Sequence, residues 1–489
     1  MSLKQKTIIG LSWSFIDSSL TQGIGLIVSL ILARLLTPED YGVVGMLTFF
    51  IALSITFIDS GFGSALIRKK NCTQVDYSTI FFFNMATGIF LYLLLFFLAP
   101  FIAAFFNVPV LIKILRVAGL VLIINAASVI QLTLLTKNID FKTKAKITLS
   151  AELLAGGIAI AMAYIGFGVW SLVVRSLLGP SFTAIFIWFS GKWHPVAVFS
   201  LNSFKELFSF GSKMLLSTLI HNASHQIYYP IIGKFFPTST LGLYTQAERF
   251  NGVFASTLTS IIQRVSYPVL STVQDNPQKL KKGYRRLIKS SAMLTFSLLL
   301  SLAAVAEPLI TLLLGEKWLP CVPFLQLMCL ASIFYPLHAM NLNILMVKGR
   351  SDLFLKLEII KTFLIISLLV IGVVYGIEML LIFNILRSVI CFFIDSYYSA
   401  ELINYSTKEQ IFDFLPMLLV AGTVSLLVWS ITFLQWNDWA TIITQFIVGA
   451  GLTIGIYEAM KQHDYQEVKY IVLHLTRRFF NLFTSTSDI

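Results

Sequence analysis

Residues 78–105 read STIFFFNMATGIFLYLLLFFLAPFIAAF, and none of them is Lys, Arg, Asp or Glu. At about 1.5 Å rise per residue, a helix of that length crosses the roughly 30 Å hydrocarbon layer of a bilayer. The apolar residues are continuous rather than alternating with polar ones, which disfavours a β-barrel strand. The same pattern extends outward in both directions. Spans are expected near 8–35, 40–66, 78–105, 111–136, 147–166, 169–190, 207–234, 241–266, 291–314, 323–347, 354–375, 377–402, 413–435 and 438–460, fourteen in all. The fold class expected is therefore an all-α polytopic membrane protein.

Composition agrees. Of 489 residues 57% are hydrophobic and 12% charged, against about 25% charged in soluble domains. That excludes a soluble enzyme, a disordered chain and a secreted disulfide scaffold. Cys72, Cys321, Cys329 and Cys391 are scattered, with neither a disulfide framework nor a zinc spacing. The first run is too long for a signal-peptide core and reads as an uncleaved span.

The formal charge of +12 lies in short clusters between spans, not in the basic stripe that nucleic acid requires. One set of loops holds Lys4 and Lys6, Arg68 to Lys70, Lys137 to Lys146, Lys192 and Lys205, Lys279 to Lys289, Lys348 to Lys356, Lys408, and Lys461, Lys469, Arg477 and Arg478. The alternate loops hold little beyond Lys113, Lys234 and Lys317. By the positive-inside rule both termini are cytoplasmic. The tail at 461–489 reads either as an interfacial amphipathic helix or as a frayed basic end.

Internal repeats follow. An offset of 200 places Pro38 to Gly42 over Thr238 to Gly242; one near 211 places Pro109 on Pro320 and Lys137 on Lys348; one of 208 places Gly168 on Gly376. The expected organisation is an N-lobe of six spans at 1–205, a C-lobe of six at 206–405, two accessory spans at 406–460 and the tail at 461–489. An even span number per lobe gives a pseudo-twofold axis along the membrane normal, with a central site between lobes and alternating access.

The opening Gly10-Leu11-Ser12-Trp13-Ser14 and the turn from Ala33 to Gly42 resemble bacterial polysaccharide exporters, as do Gly61 to Ile67, Gly315-Glu316-Lys317-Trp318 and Pro323 to Leu327. The resemblance is to Wzx-type flippases of the colanic-acid and teichuronic-acid exporter branch, within the multidrug/oligosaccharidyl-lipid/polysaccharide superfamily. It runs from the first span through about the twelfth. It implies a substrate, an oligosaccharide repeat unit linked through pyrophosphate to a polyprenyl lipid. It also implies contact with membrane lipid, a polysaccharide polymerase as partner, and residence in the bacterial inner membrane. Peptidoglycan-lipid flippases of the superfamily have several arginines in the first two spans; this chain offers Asp17 and Asp59 there, so no arginine set is carried over.

A charged headgroup crossing hydrocarbon needs a polar, preferably cationic passage, and ionisable residues inside spans are the candidates for lining it. Arg387, Arg249 and Arg175 present guanidinium forks that suit phosphate oxygens. The plainer alternatives are ion pairs, Arg387 with Asp395 or Arg249 with Glu248, and a snorkelling Arg175. The polar faces of spans one and seven add Gln22, Lys213, His221, Asn222 and His225. His221 and His225, four residues apart, share a helix face but lack a third metal ligand, so neither a metal nor a cofactor is expected. Asp17, Asp59, Asp395 and Glu248 are candidates for ion coupling; Asp17 and Asp59 equally suit capping or pairing with Lys213.

The expected activity is non-enzymatic translocation of the lipid-linked oligosaccharide from the inner to the outer leaflet. The rivals are a multidrug exporter of the same superfamily and a membrane-embedded polymerase or ligase. The short loops argue against the enzyme.

Overall fold

The computed structural model describes residues 3–460, except Ser60, Lys70 and Lys192, together with Gln466. Otherwise the tail at 461–489 lies outside the described residues, as do Lys70, Lys192, Lys461, Lys469, Arg477 and Arg478. Among the described residues every regular element is a helix, and the chain divides into two compact units, Met1–Thr245 and Gln246–Ile489.

The first unit contains α1 (Leu3–Leu35), α2 (Pro38–Asp59), α3 (Phe62–Arg68), α4 (Gln74–Phe106), α5 (Leu111–Ala118), α6 (Val121–Lys137), α7 (Phe141–Tyr164), α8 (Val169–Ser190), α9 (Leu201–Gln226) and α10 (Tyr228–Phe235). Helix α11 (Thr238–Thr272) starts in the first unit and continues into the second. The second unit adds α12 (Pro277–Ala304), α13 (Ala306–Leu314), α14 (Val322–Ser332), α15 (Tyr335–Val347), α16 (Ser351–Tyr375), α17 (Ile377–Ile403), α18 (Thr407–Ser430) and α19 (Asp438–Ala459).

Eleven helical stretches among the described residues are long and apolar enough to cross a membrane, and Leu20–Leu35 forms a shorter apolar stretch. The expected runs at 207–234 and 241–266 fall on α9–α10 and α11, which carry Lys205, Glu206, Gln246 and Arg249 among their apolar residues. Burial follows a lipid solvent rather than water. Phe101, Phe189 and Phe363 are 72%, 88% and 75% exposed, whereas Asn84, Gln131 and Ser171 are buried.

Lipid gives apolar helices no hydrophobic reason to associate, so close packing and hydrogen bonds must hold them together. Small residues supply the closeness. Apart from Ile147, the buried residues along α7 are Ala145, Ala151, Ala155, Gly156, Ala159 and Ala163, and a Cβ on Gly156 would stand 2.6 Å from Val28 Cγ2 of α1. One on Gly88 of α4 would stand 2.8 Å from Ala126 Cβ of α6.

Caps fix where the helices begin. Thr73 and Asp76 form a reciprocal capping box at α4, and Ser406 and Glu409 form another at α18. Lys69 joins Asp76 at 3.1 Å to Glu206 of α9 at 3.0 Å. Partial burial disfavours its charge, but the two carboxylates outweigh that and hold the Lys69 ammonium above the usual lysine range.

The repeat offsets coincide with helix starts. Pro38 and Thr238 open α2 and α11, and Leu111 and Val322 open α5 and α14. Gly168 and Gly376, with φ of 53° and 104°, precede α8 and α17. Those two helices are the second arms of hairpins α7–α8 and α16–α17, which pack along their lengths.

Helix α18 packs extensively on α12. Lys281 meets Glu409 at 3.1 Å and Lys289 meets Asp413 at 3.2 Å, with Arg285 also bound to Asp413. Cations four residues apart on one helix thus face carboxylates four apart on the other, and Tyr405 donates to Asp413 at 2.6 Å.

Candidate functional site

In the first unit a polar seam runs where α1 meets α7 and α8. Asp17, Thr21 and Gly25 repeat every four residues and so share one face of α1. Thr148 of α7 donates to Asp17 Oδ1 at 2.6 Å, and Thr21 does so at 3.4 Å. Two turns along α1, Arg175 of α8 pairs with Glu152 of α7 at 2.5 Å and donates to the Gly25 carbonyl at 3.3 Å. The pair is largely covered, with side chains 14% and 22% exposed. Arg175 therefore does not snorkel; it is held inside by a carboxylate.

On α9, Asn222 donates to Thr56 of α2 at 2.8 Å. The rings of His221 and His225 lie 4.8 Å apart on the exposed face, as their spacing implies. Gln22 and Asp59 are exposed, and Asp59 Oδ1 comes within 3.3 Å of where a Cβ on Gly63 would stand. The Lys213 side chain lies outside the described residues. Among the described residues no group of three His, Cys, Asp or Glu gathers to hold a metal ion.

In the second unit Asp395 of α17 is a fully buried carboxyl group, 0% exposed. Its partners are His338 of α15, whose Nδ1 lies 3.1 Å away, and Lys361 of α16 at 3.4 Å. Lys361 also meets Glu358 at 2.7 Å. In place of the alternative Arg387–Asp395 pair, Asp395 sits in a network drawn from three helices. Arg387 instead donates to Asn384 at 2.9 Å and to Tyr335 at 3.4 Å. Deeper in the unit, Tyr284 donates to Asn341 at 2.6 Å, and Ser399 donates to the same oxygen. Glu248 and Arg249 are adjacent on α11, Arg249 exposed and Glu248 half-buried.

Each unit thus carries compensated charge inside apolar helices. Such groups offer hydrogen-bond donors and acceptors to a polar headgroup while keeping any single ion from facing hydrocarbon alone. Sequence reasoning missed Glu152, His338, Lys361 and Glu358. All four were readable as ionisable residues inside expected spans; what the sequence did not supply was the pairing across helices.

The description "polysaccharide biosynthesis protein" belongs to the family model that matches residues 31–323, more than half of the chain. Teichuronic acid biosynthesis protein TuaB of Bacillus subtilis (strain 168) is 28% identical over 354 residues, covering 72% of this chain and 73% of that protein. Lipopolysaccharide biosynthesis protein WzxC of Escherichia coli (strain K12) is 27% identical over 378 residues, 76% of each. Among solved structures, lipid II flippase MurJ in an inward closed conformation matches with a TM-score of 0.74 at 15% identity, covering 92% of this chain and 100% of that one. An inward-facing multidrug resistance transporter of the MATE family, in the MOP superfamily, reaches 0.62 at 18% identity, covering 80% and 99%. At such identities the two structures speak for the fold alone. With the family model spanning most of the first unit and the start of the second, the chain belongs to the polysaccharide biosynthesis protein family, of the Wzx type that its motifs resemble.

Proposed function

We propose that this protein carries polyprenyl-pyrophosphate-linked oligosaccharide repeat units from the inner to the outer leaflet of the bacterial cytoplasmic membrane, as a transporter rather than an enzyme. The observation that carries the reading is charge held inside lipid-embedded helices of a polysaccharide-biosynthesis family member, Arg175 with Glu152 in one unit and Asp395 with His338 and Lys361 in the other. Polar groups at that depth are expensive in hydrocarbon and mark substrate or ion pathways. The relatives named for teichuronic acid and lipopolysaccharide biosynthesis point to the glycan.

The reading includes fourteen spans with both termini cytoplasmic, and six-span halves at 1–205 and 206–405 followed by accessory spans at 406–460. Arg387, Arg249, Arg175, Lys213, His221, His225, Asn222 and Gln22 contact the headgroup as access alternates. Asp17, Asp59, Asp395 and Glu248 serve ion coupling. A polysaccharide polymerase removes the delivered units outside.

The test is complementation. A strain lacking this protein loses its surface polysaccharide and accumulates the lipid-linked unit inside. The wild-type chain restores export, and Arg387→Ala, present in the membrane in normal amount, does not. A wild-type chain that leaves the polysaccharide absent but restores resistance to cationic drugs would overturn the proposal in favour of efflux. Full export by Arg387→Ala would remove that arginine from the pathway.

A further inference from the structure

Helices α6 and α8 of the first unit pack side by side, yet a groove of about 510 Å³ lies between them. Ile123 and Ala127 of α6 line it, with Ser181, Ala184, Trp188 and Phe189 of α8. Ala127, Ser181 and Ala184 are too small to fill the space between the two backbones. The polar side-chain groups in the lining are already spent. Ser181 donates to the Leu177 carbonyl at 2.7 Å and the Trp188 indole donates to the Ala127 carbonyl at 3.1 Å. Trp188 is held further by Phe81 of α4, the ring centroids 6.0 Å apart. Such a lining offers an occupant dispersion and apolar contact alone, which suits a hydrocarbon chain.

Length and position say which chain. From Ser181 to Phe189 the helix rises about 12 Å, within the roughly 15 Å that one leaflet contributes to the hydrocarbon layer. The groove therefore matches a chain of one leaflet. On the orientation expected from Lys and Arg, the Phe189 end faces the cytoplasm, which makes it the inner leaflet. Beyond that end the connector from α8 to α9 is pinned to α4. Trp193 donates to Gln74 at 2.7 Å, and Gln74 donates to the His194 carbonyl. The Val196 and Ser200 amides donate to the Ser78 and Thr79 hydroxyls, each at 3.0 Å. So held, the connector exposes Val196, Val198 and Phe199, in line with exposed Phe189 on the lipid-facing side of α8. Exposed apolar side chains that continue a lipid-facing surface belong at the membrane interface. Charge narrows the choice further. No Asp or Glu occurs between Glu152 and Glu206, whereas Arg175, Lys192, His194 and Lys205 do, and Arg175 is taken up by Glu152. A basic, apolar segment at the inner surface complements an anionic headgroup.

We infer that the α6–α8 groove and the connector beyond it hold one anionic phospholipid of the inner leaflet. Its acyl chain lies between the helices, and its phosphate meets the connector that carries Lys192 and His194. The lipid then ties α8 to α6 where their own side chains leave a gap. This site stands apart from the transport reading and its test needs no substrate.

In a full-length chain that keeps Trp188 and has every other tryptophan replaced by Phe, the indole reports what fills the groove. The chain is reconstituted in phosphatidylethanolamine vesicles containing a small fraction of phosphatidylglycerol brominated along its acyl chain. At equal mole fraction, brominated phosphatidylglycerol is expected to quench Trp188 about threefold more than brominated phosphatidylethanolamine, and Lys192→Gln/His194→Gln is expected to remove the preference. Equal quenching by the two lipids in the unsubstituted connector overturns the inference. Stronger quenching by a brominated polyprenyl phosphate than by phosphatidylglycerol overturns it in favour of a seat for the substrate's tail. Should the single-tryptophan chain fail to accumulate, native mass spectrometry of the natural chain decides. Phosphatidylglycerol is expected to stay bound on release from detergent, and Ala184→Phe, whose ring fills the groove, is expected to hold one molecule fewer. The same number bound by both overturns the inference.

Discussion

Glu152 is the only charged residue between Lys146 and Arg175, and it meets that arginine at 2.5 Å. Removing one partner of a covered ion pair strands the other, whereas removing both leaves neither exposed to a poor solvent. Arg175→Met is therefore expected to destabilise the protein by about 3 kcal/mol. Arg175→Met/Glu152→Met is expected to recover most of that, read by thermal unfolding in detergent. Export in the refolded double variant then separates roles: if the pair touches the headgroup, export stays lost although stability returns. Equal stability of single and double variants would show that the pair is not coupled. Asp17, Arg175 and Asp395 were legible because an ion within an apolar run is conspicuous. Glu152, His338 and Lys361 were equally conspicuous, but which ion neutralises which depends on helix rotation and neighbourhood. A one-dimensional reading has neither, so it offers an Arg387–Asp395 pair as one alternative where Lys361 and His338 hold that carboxylate.

At the scale of elements, eleven of the fourteen expected spans coincide with helical stretches long and apolar enough to cross a membrane, because hydrocarbon thickness sets their length. Breaks within them were not readable. The expected spans at 40–66, 111–136, 207–234, 291–314 and 323–347 each divide into two helices, mostly at residues that continue a helix well enough in water. Gly61, with φ of 67° between α2 and α3, is the break with a clear local cause, since that conformation is strained for residues with a Cβ. A glycine of a different kind is identified by its neighbour. Gly156→Ala is expected to overpack Val28, destabilising by roughly 1–3 kcal/mol, and Val28→Ala in the same chain is expected to relieve most of it. Losses that simply add would show that α1 and α7 do not meet there. Helices α18 and α19 looked like additions in the sequence; the charge ladder from Lys281, Arg285 and Lys289 to Glu409 and Asp413 joins α18 to α12.

For the whole molecule, class and family were carried by composition and a few turn motifs, because a lipid solvent leaves a coarse mark on every span. Orientation rests on where Lys and Arg fall and is an expectation to be tested. A cysteine replacing Glu39, in the chain without native cysteines, is expected to react with an impermeant reagent from outside the cell, and one replacing Lys282 only after permeabilisation; the opposite pattern would invert the topology. The central claim is movement of a lipid-linked glycan across the bilayer. It is tested most directly by reconstituting the purified chain in vesicles holding a polyprenyl-pyrophosphate oligosaccharide, and adding a glycosidase on one side only. The fraction of glycan cleaved is expected to rise from about half towards completion when the protein is present, because units from the protected leaflet reach the enzyme. A fraction that stays at the protein-free level, with the chain folded in the same vesicles and an ion gradient of either sign imposed, would contradict it.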